Sequence, residues 1–151
     1  MESGKYAVSL PAVMVSVRGK NGEDNIITVA WAGTVCTNPP MVSISVRPER
    51  YSYQMIKESG AFVINLTTED LCYATDYCGV RSGRDVDKFK EMKLTKVEAE
   101  EISAPMIGSR RLISSVKWSR CSNWARITCF LQKLWLSMRM RHTWMSAAAS
   151  I

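Results

Sequence analysis

The first third of the chain alternates short apolar or β-branched runs with polar turns, a pattern that predicts strands linked by hairpins. The runs cover residues 12–17, 25–36 and 41–46. The dipeptide Asn21-Gly22 separates the first two runs, and it favours a tight hairpin turn. The prolines of the Asn38-Pro39-Pro40 turn interrupt the second run, because proline cannot donate a hydrogen bond to a strand ladder.

Short helical signals follow, separated by one more strand. Tyr51 and Met55 are at helical spacing, and Gly60 provides a C-terminal cap, so residues 51–59 predict a helix. Residues 61–66 predict another strand. A second helix is expected over residues 68–77, and one more helical turn over residues 84–92. No βαβ unit repeats, so we expect a mainly β fold with small helices, in the form of a small barrel with helical caps.

Length and composition limit the class of protein. A chain of 151 residues with 46% hydrophobic residues can form one domain with its own core. It contains no run of eighteen apolar residues, and residues 1–10 do not resemble a secretory signal, so we expect a cytoplasmic protein without membrane contact. The five cysteines form no CxxC pair, which favours reduced thiols over disulfides or a metal site.

The positive charge is confined to the last part of the chain. Residues 1–108 contain 12 Lys and Arg and all 14 Asp and Glu, whereas residues 109–151 contain 8 basic residues and no acid. Four of the five tryptophans and the one histidine also lie after residue 108. We therefore divide the chain into a body, residues 1–108, and an aberrant basic, Trp-rich tail, residues 109–151, that is not a separate domain. The tail lacks a nucleic-acid motif or a clean amphipathic period, so we expect it to bind neither nucleic acid nor membrane.

Several motifs occur in order along the body. They are TVAWAGT at residues 28–34, NPP at 38–40, SxSxR at 43–47 and CGxxSGRxxDKF at 78–89. Together they resemble the flavin reductase-like family of FMN-binding split barrels, especially its flavoredoxin-like branch, and the resemblance covers nearly all of residues 7–107. It implies a Greek-key split β-barrel, bound FMN, and a homodimer with the flavin near the subunit interface.

The same motifs supply the groups that an FMN site needs. The flavin ring needs an open strand edge, which small side chains leave accessible, and the phosphate needs a guanidinium fork with hydroxyl donors. The resemblance assigns the ring to Ala32, Gly33 and Thr34, and the phosphate to Arg47, Ser43, Ser45 and Ser52. Lys88 and Ser82 are further candidates for the phosphate, and Cys78 and Gly79 are candidates near the flavin.

Each assignment has a simpler alternative. Ser43 and Ser45 alternate with apolar residues and could form the solvent face of a strand. Arg47 could be an ordinary surface charge, and Lys88 could lie on a solvated helix face. Cys78 could be a packed small apolar group. No catalytic residue or metal is expected, because the flavin itself accepts hydride or electrons.

The tail resembles a reading-frame change. Relatives in this family continue after the Ala104-Pro105 region with two long strands, and the tail replaces them. When the codons that the tail permits are read one base earlier, residues 112–124 allow NIECKVVEVLELG and residues 124–138 allow GSHHMFLAEVVAV. Tryptophan and methionine each have a single codon, so at these positions the bases cannot be chosen to fit the alternative frame. We infer a single shift near Gly108 and expect an incomplete barrel.

Three functions follow as hypotheses. The first is an FMN-binding flavin reductase that uses NADH or NADPH as reductant. The second is a flavoredoxin-like electron carrier that serves a redox-partner protein and has no substrate of its own. The third is a non-functional product of a frameshifted gene.

Overall fold

The computed structural model describes residues 12–38, 40–99 and 102–108, with Pro40 as backbone only, and residues 113–124 and 127–134 as backbone alone. Strands dominate, and the three α-helices are short, which confirms the mainly β class. The strands are β1 Val13–Arg18, β2 Asp24–Val29, β3 Ala32–Thr37, β4 Pro40–Val46, β5 Ala61–Leu66, β6 Lys96–Glu98, β7 Pro105–Ile107, β8 Ile113–Trp124 and β9 Ile127–Leu134. The helices are α1 Tyr51–Ser59, α2 Cys72–Val80, which follows a 3₁₀ turn at Glu69–Leu71, and α3 Lys88–Glu91.

Most of the predicted elements are present, but several bounds differ, since α2 begins at Cys72 after the 3₁₀ turn and α3 covers only Lys88–Glu91. The hairpin turn is confirmed, because Gly22 has a φ of 80° and β1 pairs with β2 from Val13 opposite Val29. The run at residues 25–36 is not one strand but two, since the chain leaves β2 after Val29 and begins β3 at Ala32. The second helix continues to Val80, beyond the predicted end at residue 77, because Gly79 remains helical.

The strand order shows that the large sheet must curl. The order is β2-β1-β5-β8-β9-β4-β3, so β2 and β3 are at opposite edges. In a flat sheet, six strand spacings would separate them by about 29 Å. Only Ala30 and Trp31 connect the two strands, and three Cα steps span at most about 11 Å. The sheet therefore closes towards a barrel, as the sequence predicts.

Strand β1 is buried on both of its faces. Val13, Val15 and Val17 face the barrel interior, where Phe62 and Ile44 are also buried. Met14 and Ser16 face the opposite side and are fully buried as well, beneath an outer layer that includes α2, α3 and β7. Burial on two faces explains why this run is continuously apolar instead of alternating.

A buried polar network attaches β7 to the barrel wall. Asn65 donates hydrogen bonds to Met14 O (3.0 Å) and Ser16 Oγ (2.9 Å), and its Oδ1 accepts one from Ile107 N (3.0 Å). Ser16 Oγ in turn donates to Pro105 O (2.6 Å). These bonds give buried polar groups their partners, so they fix the position of β7 without leaving an unpaired group.

Residues 113–124 and 127–134 take two adjacent positions in the large sheet. Strand β8 pairs antiparallel with β5, β9 pairs antiparallel with β4, and the two pair with each other. Strand pairing uses backbone groups that any residue except proline supplies, so it does not test which side chains belong there. The frame change, the incomplete barrel and the division at residue 108 stay predictions. Residues 135–151, including His142, lie outside the described residues.

Candidate functional site

A cleft lies between the beginning of α1 and the end of α2. Its volume is about 240 Å³. Residues 49–52 form one wall and residues 78–84 form the other, with Asn25, Ile27 and Lys88 between them. We call it the α1–α2 cleft. Five of the predicted site residues line it, namely Ser52, Cys78, Gly79, Ser82 and Lys88.

The N-terminus of α1 opens into this cleft without a capping side chain. Arg50 is the N-cap residue, its side chain makes no capping hydrogen bond, and the first turn contains no acid. The first N–H groups of a helix have no partner within the helix, and the helix dipole makes this end positive. Tyr51 and Ser52 of this turn both line the cleft. The helix end therefore offers donors to an anion.

Lys88 is buried beside the cleft and not on a solvated helix face, so that alternative is wrong. Its side chain is 4% exposed. Nζ donates hydrogen bonds to Ile26 O (2.7 Å) and Cys78 O (2.8 Å), and thus joins β2 to the last turn of α2. Burial lowers the pKa of Lys88 from its ordinary value. An ammonium group has three donors, so one remains for another acceptor.

Cys78 packs as a small apolar group, as one of the two interpretations predicts. Its side chain is buried, and burial raises the pKa of its thiol to about 11. The thiol is therefore neutral at physiological pH, which makes it a poor nucleophile. Cys36, Cys72 and Cys78 are free thiols.

Asn25 lies between the two walls of the cleft and was not among the predicted site residues. Asn25 Nδ2 donates to the buried Ser52 Oγ at 2.8 Å. On the other side, a Cβ added to Gly83 would lie 2.3 Å from Asn25 Oδ1. Position 83 therefore accommodates only glycine without displacing the amide. The one signal in the sequence is a polar residue at the beginning of an apolar run.

The other predicted site residues lie on the β3–β4 hairpin. In the large sheet, β3 is an edge strand, with Ala32 opposite Ile44 and Gly33 opposite Ser43. Gly33 is exposed, and a Cβ added to it would meet no atom within 4 Å. The backbone at Gly33 is therefore open to close approach by a ligand, whereas the contact of Ala32, Gly33 and Thr34 with the flavin ring stays a prediction.

Ser43, Ser45 and Arg47 do not line the α1–α2 cleft. The two serines are half-buried and alternate with the buried Ile44 and Val46, and Arg47 is exposed. Arg47 is nevertheless adjacent to the start of α1, since its carbonyl accepts a hydrogen bond from Arg50 N at 3.0 Å. The phosphate roles of these three residues stay predictions.

The α1–α2 cleft is strongly positive. Four cationic side chains and one carboxylate, that of Glu49, line it; the cations are Arg50, Arg81, Arg84 and Lys88. None of the three arginines forms an ion pair with a carboxylate among the residues described with side chains. Arg50, Arg81 and Arg84 were not among the predicted site residues, because the family resemblance assigns the phosphate to Arg47. Such a surplus of unpaired guanidinium groups suits a phosphate-bearing ligand.

An aromatic ring fixes one of these arginines. The Arg84 guanidinium lies 5.6 Å from the centroid of the Tyr51 ring, within the range of a cation–π contact. The Tyr51 hydroxyl donates a hydrogen bond to Glu23 at 2.8 Å. This bond is the main cause that raises the pKa of the phenol, and burial is the second. The ring and the guanidinium are therefore held in place at the mouth of the cleft.

Comparison with known proteins gives one family. A family model described as a flavin reductase like domain matches residues 5–121. Flavoredoxin of Desulfovibrio vulgaris (Miyazaki F) has a similar structure, with a TM-score of 0.79 and 30% identity over 90% of this chain and 75% of that chain. Flavoredoxin from Methanosarcina acetivorans has a TM-score of 0.76 and 26% identity over 90% of this chain and 74% of that chain.

A curated relative adds similarity in sequence but no function. An uncharacterized protein of Aeropyrum pernix is 31% identical over 102 residues, which cover 66% of this chain and 39% of the relative. The chain spans less than half the length of the curated relatives it matches. Within the described residues, no helix is long and apolar enough to cross a bilayer.

Proposed function

The chain belongs to the family of flavin reductase-like domains, and we propose that it binds FMN and reduces flavin with NADH or NADPH. The observation that carries this proposal is the α1–α2 cleft, where an uncapped helix N-terminus lies beside Arg50 and the buried Lys88. A phosphate monoester is the end of FMN that such a cleft suits.

The size of the α1–α2 cleft indicates that it would hold only one end of FMN, and that the ring would bind elsewhere. Pockets that bury a whole small ligand usually measure about 300–1,000 Å³. The α1–α2 cleft is smaller, at about 240 Å³. It therefore fits the phosphate and part of the sugar alcohol chain, whereas the ring needs another surface. The open backbone at Gly33 on the edge strand β3 suits a flat ring with a polar rim.

The residues of this chain would bind and orient the cofactor. Arg50, Ser52 and Lys88 would hold the phosphate, and the backbone of residues 32–34 would donate to and accept from the polar rim of the ring. Bound FMN would supply the hydride and electron chemistry. Lys88 and Asn25 would keep the cleft open in the correct shape, through their bonds to α2 and α1.

A visible spectrum of the purified full-length protein tests cofactor binding. We expect flavin absorption bands in the protein as purified or after addition of FMN and removal of the excess. A colourless protein that takes up no FMN would contradict the proposal and would favour a non-functional product of a frameshifted gene. Stopped-flow mixing with NADH or NADPH then tests the reductase, which should bleach the flavin bands.

A second candidate is an electron carrier of the flavoredoxin kind. The similarity to two flavoredoxins, at 30% and 26% identity, favours it. A carrier would bind FMN but would be reduced only by a protein donor, so the flavin bands would persist with NADH and NADPH. We also propose a homodimer, as the family resemblance implies, and light scattering on the flavin-loaded protein would measure its mass.

A further inference from the structure

The α1–α2 cleft contains more positive charge than one phosphate monoester requires. Its lining side chains have a net charge of +3, whereas a phosphate monoester contributes about −1.5 to −2 at pH 7. The buried floor already matches one phosphate, since Lys88 and Ser52 lie there beside the N-terminus of α1 and Arg50. Two further exposed arginines at the rim, Arg81 and Arg84, have no anion assigned to them.

The segment that bears these arginines is held in a defined conformation. Ser82 O accepts hydrogen bonds from Asp85 N (3.2 Å) and Val86 N (3.3 Å), and Ser82 Oγ accepts one from Arg84 N (3.2 Å). Asn25 leaves no space for a Cβ at Gly83, so the middle of the turn is a glycine that lies directly against the Asn25 amide. Because the backbone is fixed, less conformational entropy is lost when a ligand binds its side chains.

The Arg84 side chain is also held in place. Its guanidinium lies over the ring of Tyr51 and makes no ion pair with any described carboxylate. The ring is not an anion, so the guanidinium charge and its N–H donors stay available to an anionic ligand. A planar fork beside a cleft suits a phosphate group, which it can bind through two parallel hydrogen bonds.

We propose that Arg81 and Arg84 bind a second phosphate group, carried by a dinucleotide, beside the phosphate of the flavin. The proposal rests on the proposed function, because the flavin phosphate fills the floor of the cleft. The buried Ser52 and Lys88 already serve the first phosphate, so the second lies at the rim, where the exposed Arg81 and Arg84 are. Its source is either the 2′-phosphate of NADPH or the pyrophosphate of FAD.

Two comparisons on the purified protein distinguish the two sources of the second phosphate, namely FAD against FMN and NADPH against NADH. Quenching of flavin fluorescence gives Kd for FMN and FAD, and initial rates at saturating FMN give kcat/KM for NADPH and NADH. In one of the two comparisons, we expect the ligand with the additional phosphate to have a Kd or a kcat/KM that is about tenfold more favourable. A factor of ten corresponds to the free energy of about one charge-assisted hydrogen bond. Inhibition by 2′,5′-ADP but not by 5′-AMP would identify the 2′-phosphate as the recognised group.

Substitutions at the rim test the residues. Arg81→Gln and Arg84→Gln should each remove most of the preference and leave Kd for FMN within about twofold, whereas Arg84→Lys should lose part of it because lysine has no fork. Lys90→Gln is the matched control, since it removes one positive charge from an exposed position of α3 outside the cleft. It should keep the preference.

Two results would overturn the inference while the proposed function stands. In the first, the wild-type protein binds FMN but prefers neither FAD over FMN nor NADPH over NADH. In the second, the rim substitutions weaken the binding of FMN as much as the binding of the dinucleotide. The second result would assign the rim to the phosphate of FMN itself. Failure of the wild-type protein to bind FMN would instead refute the proposed function. If Arg84→Gln unfolds the protein, Arg81→Gln still decides, because none of the described contacts involves its side chain.

Discussion

Replacing Lys88 with methionine should destabilise the protein by about 2–3 kcal/mol. The substitution keeps the length and apolar character of the side chain but removes the donors to Ile26 O and Cys78 O, at 2.7 and 2.8 Å. Each buried carbonyl without a partner costs about 1–3 kcal/mol. Methionine recovers part of this loss, because burying an ammonium group has its own desolvation cost. For a protein of this length, the net loss corresponds to a fall in Tm of about 5–10 °C.

Urea denaturation followed by circular dichroism at pH 7 measures the effect, with the free energy of unfolding from linear extrapolation. Lys90→Met is the matched control, since Lys90 is on the same short helix but exposed. It should change the free energy of unfolding by no more than about 0.5 kcal/mol. Equal stability of the Lys88→Met and Lys90→Met proteins would show that the two carbonyl bonds contribute nothing, and the reasoning on the buried lysine would fail.

Three further predictions concern the glycines and the buried thiol. Gly83→Ala should cost about 1–3 kcal/mol in urea denaturation, because its Cβ would push Asn25 away from Ser52; wild-type stability would contradict the close contact. Gly33→Ala should leave Tm unchanged but weaken FMN binding about tenfold in fluorescence titration, since the added methyl group meets only the space for the ring; unchanged affinity would exclude this strand edge. Burial raises the pKa of Cys78 to about 11 from 9.0, so its contribution to stability is complete below pH 9 and declines up to pH 11. Across that range the wild type should lose about 2 kcal/mol more than Cys78→Ala in urea denaturation, and parallel curves would refute the shift.

The strands and turns of the body could be predicted because local signals determine them. Asn21-Gly22 specifies a tight turn, and Gly60 ends α1 with a φ of 70° and an N–H bond to Ile56 O. Their effect is confined to a few neighbouring residues, so one sequence is enough to detect it. The break between β2 and β3 could not be found this way, since Val29 to Ala32 is continuously apolar and only the closing of the sheet requires the corner.

The candidate site was predictable only in part, because long-range contacts assemble it. Lys88 bonds to Ile26 O across 62 positions, and Asn25 bonds to Ser52 across 27. A motif identifies Lys88 as a candidate but gives no reason to expect it buried. Arg84 in the same motif was passed over, since its stacking on Tyr51 depends on how α1 and the turn after α2 pack.

The placement of buried polar groups around the α1–α2 cleft indicates what the cleft is for. Asn25, Ser52 and Lys88 are each less than 5% exposed, and together they join β2, α1 and the end of α2. Apolar residues of similar size could fill the same space without the desolvation cost of burying an amide, a hydroxyl and an ammonium group. Apolar residues would not, however, provide the third N–H donor of Lys88 beside the uncapped N-terminus of α1. A polar framework that costs stability and faces a cationic cleft is therefore better explained by an anionic ligand than by folding alone, and loss of that ligand's binding should accompany any change that breaks the framework.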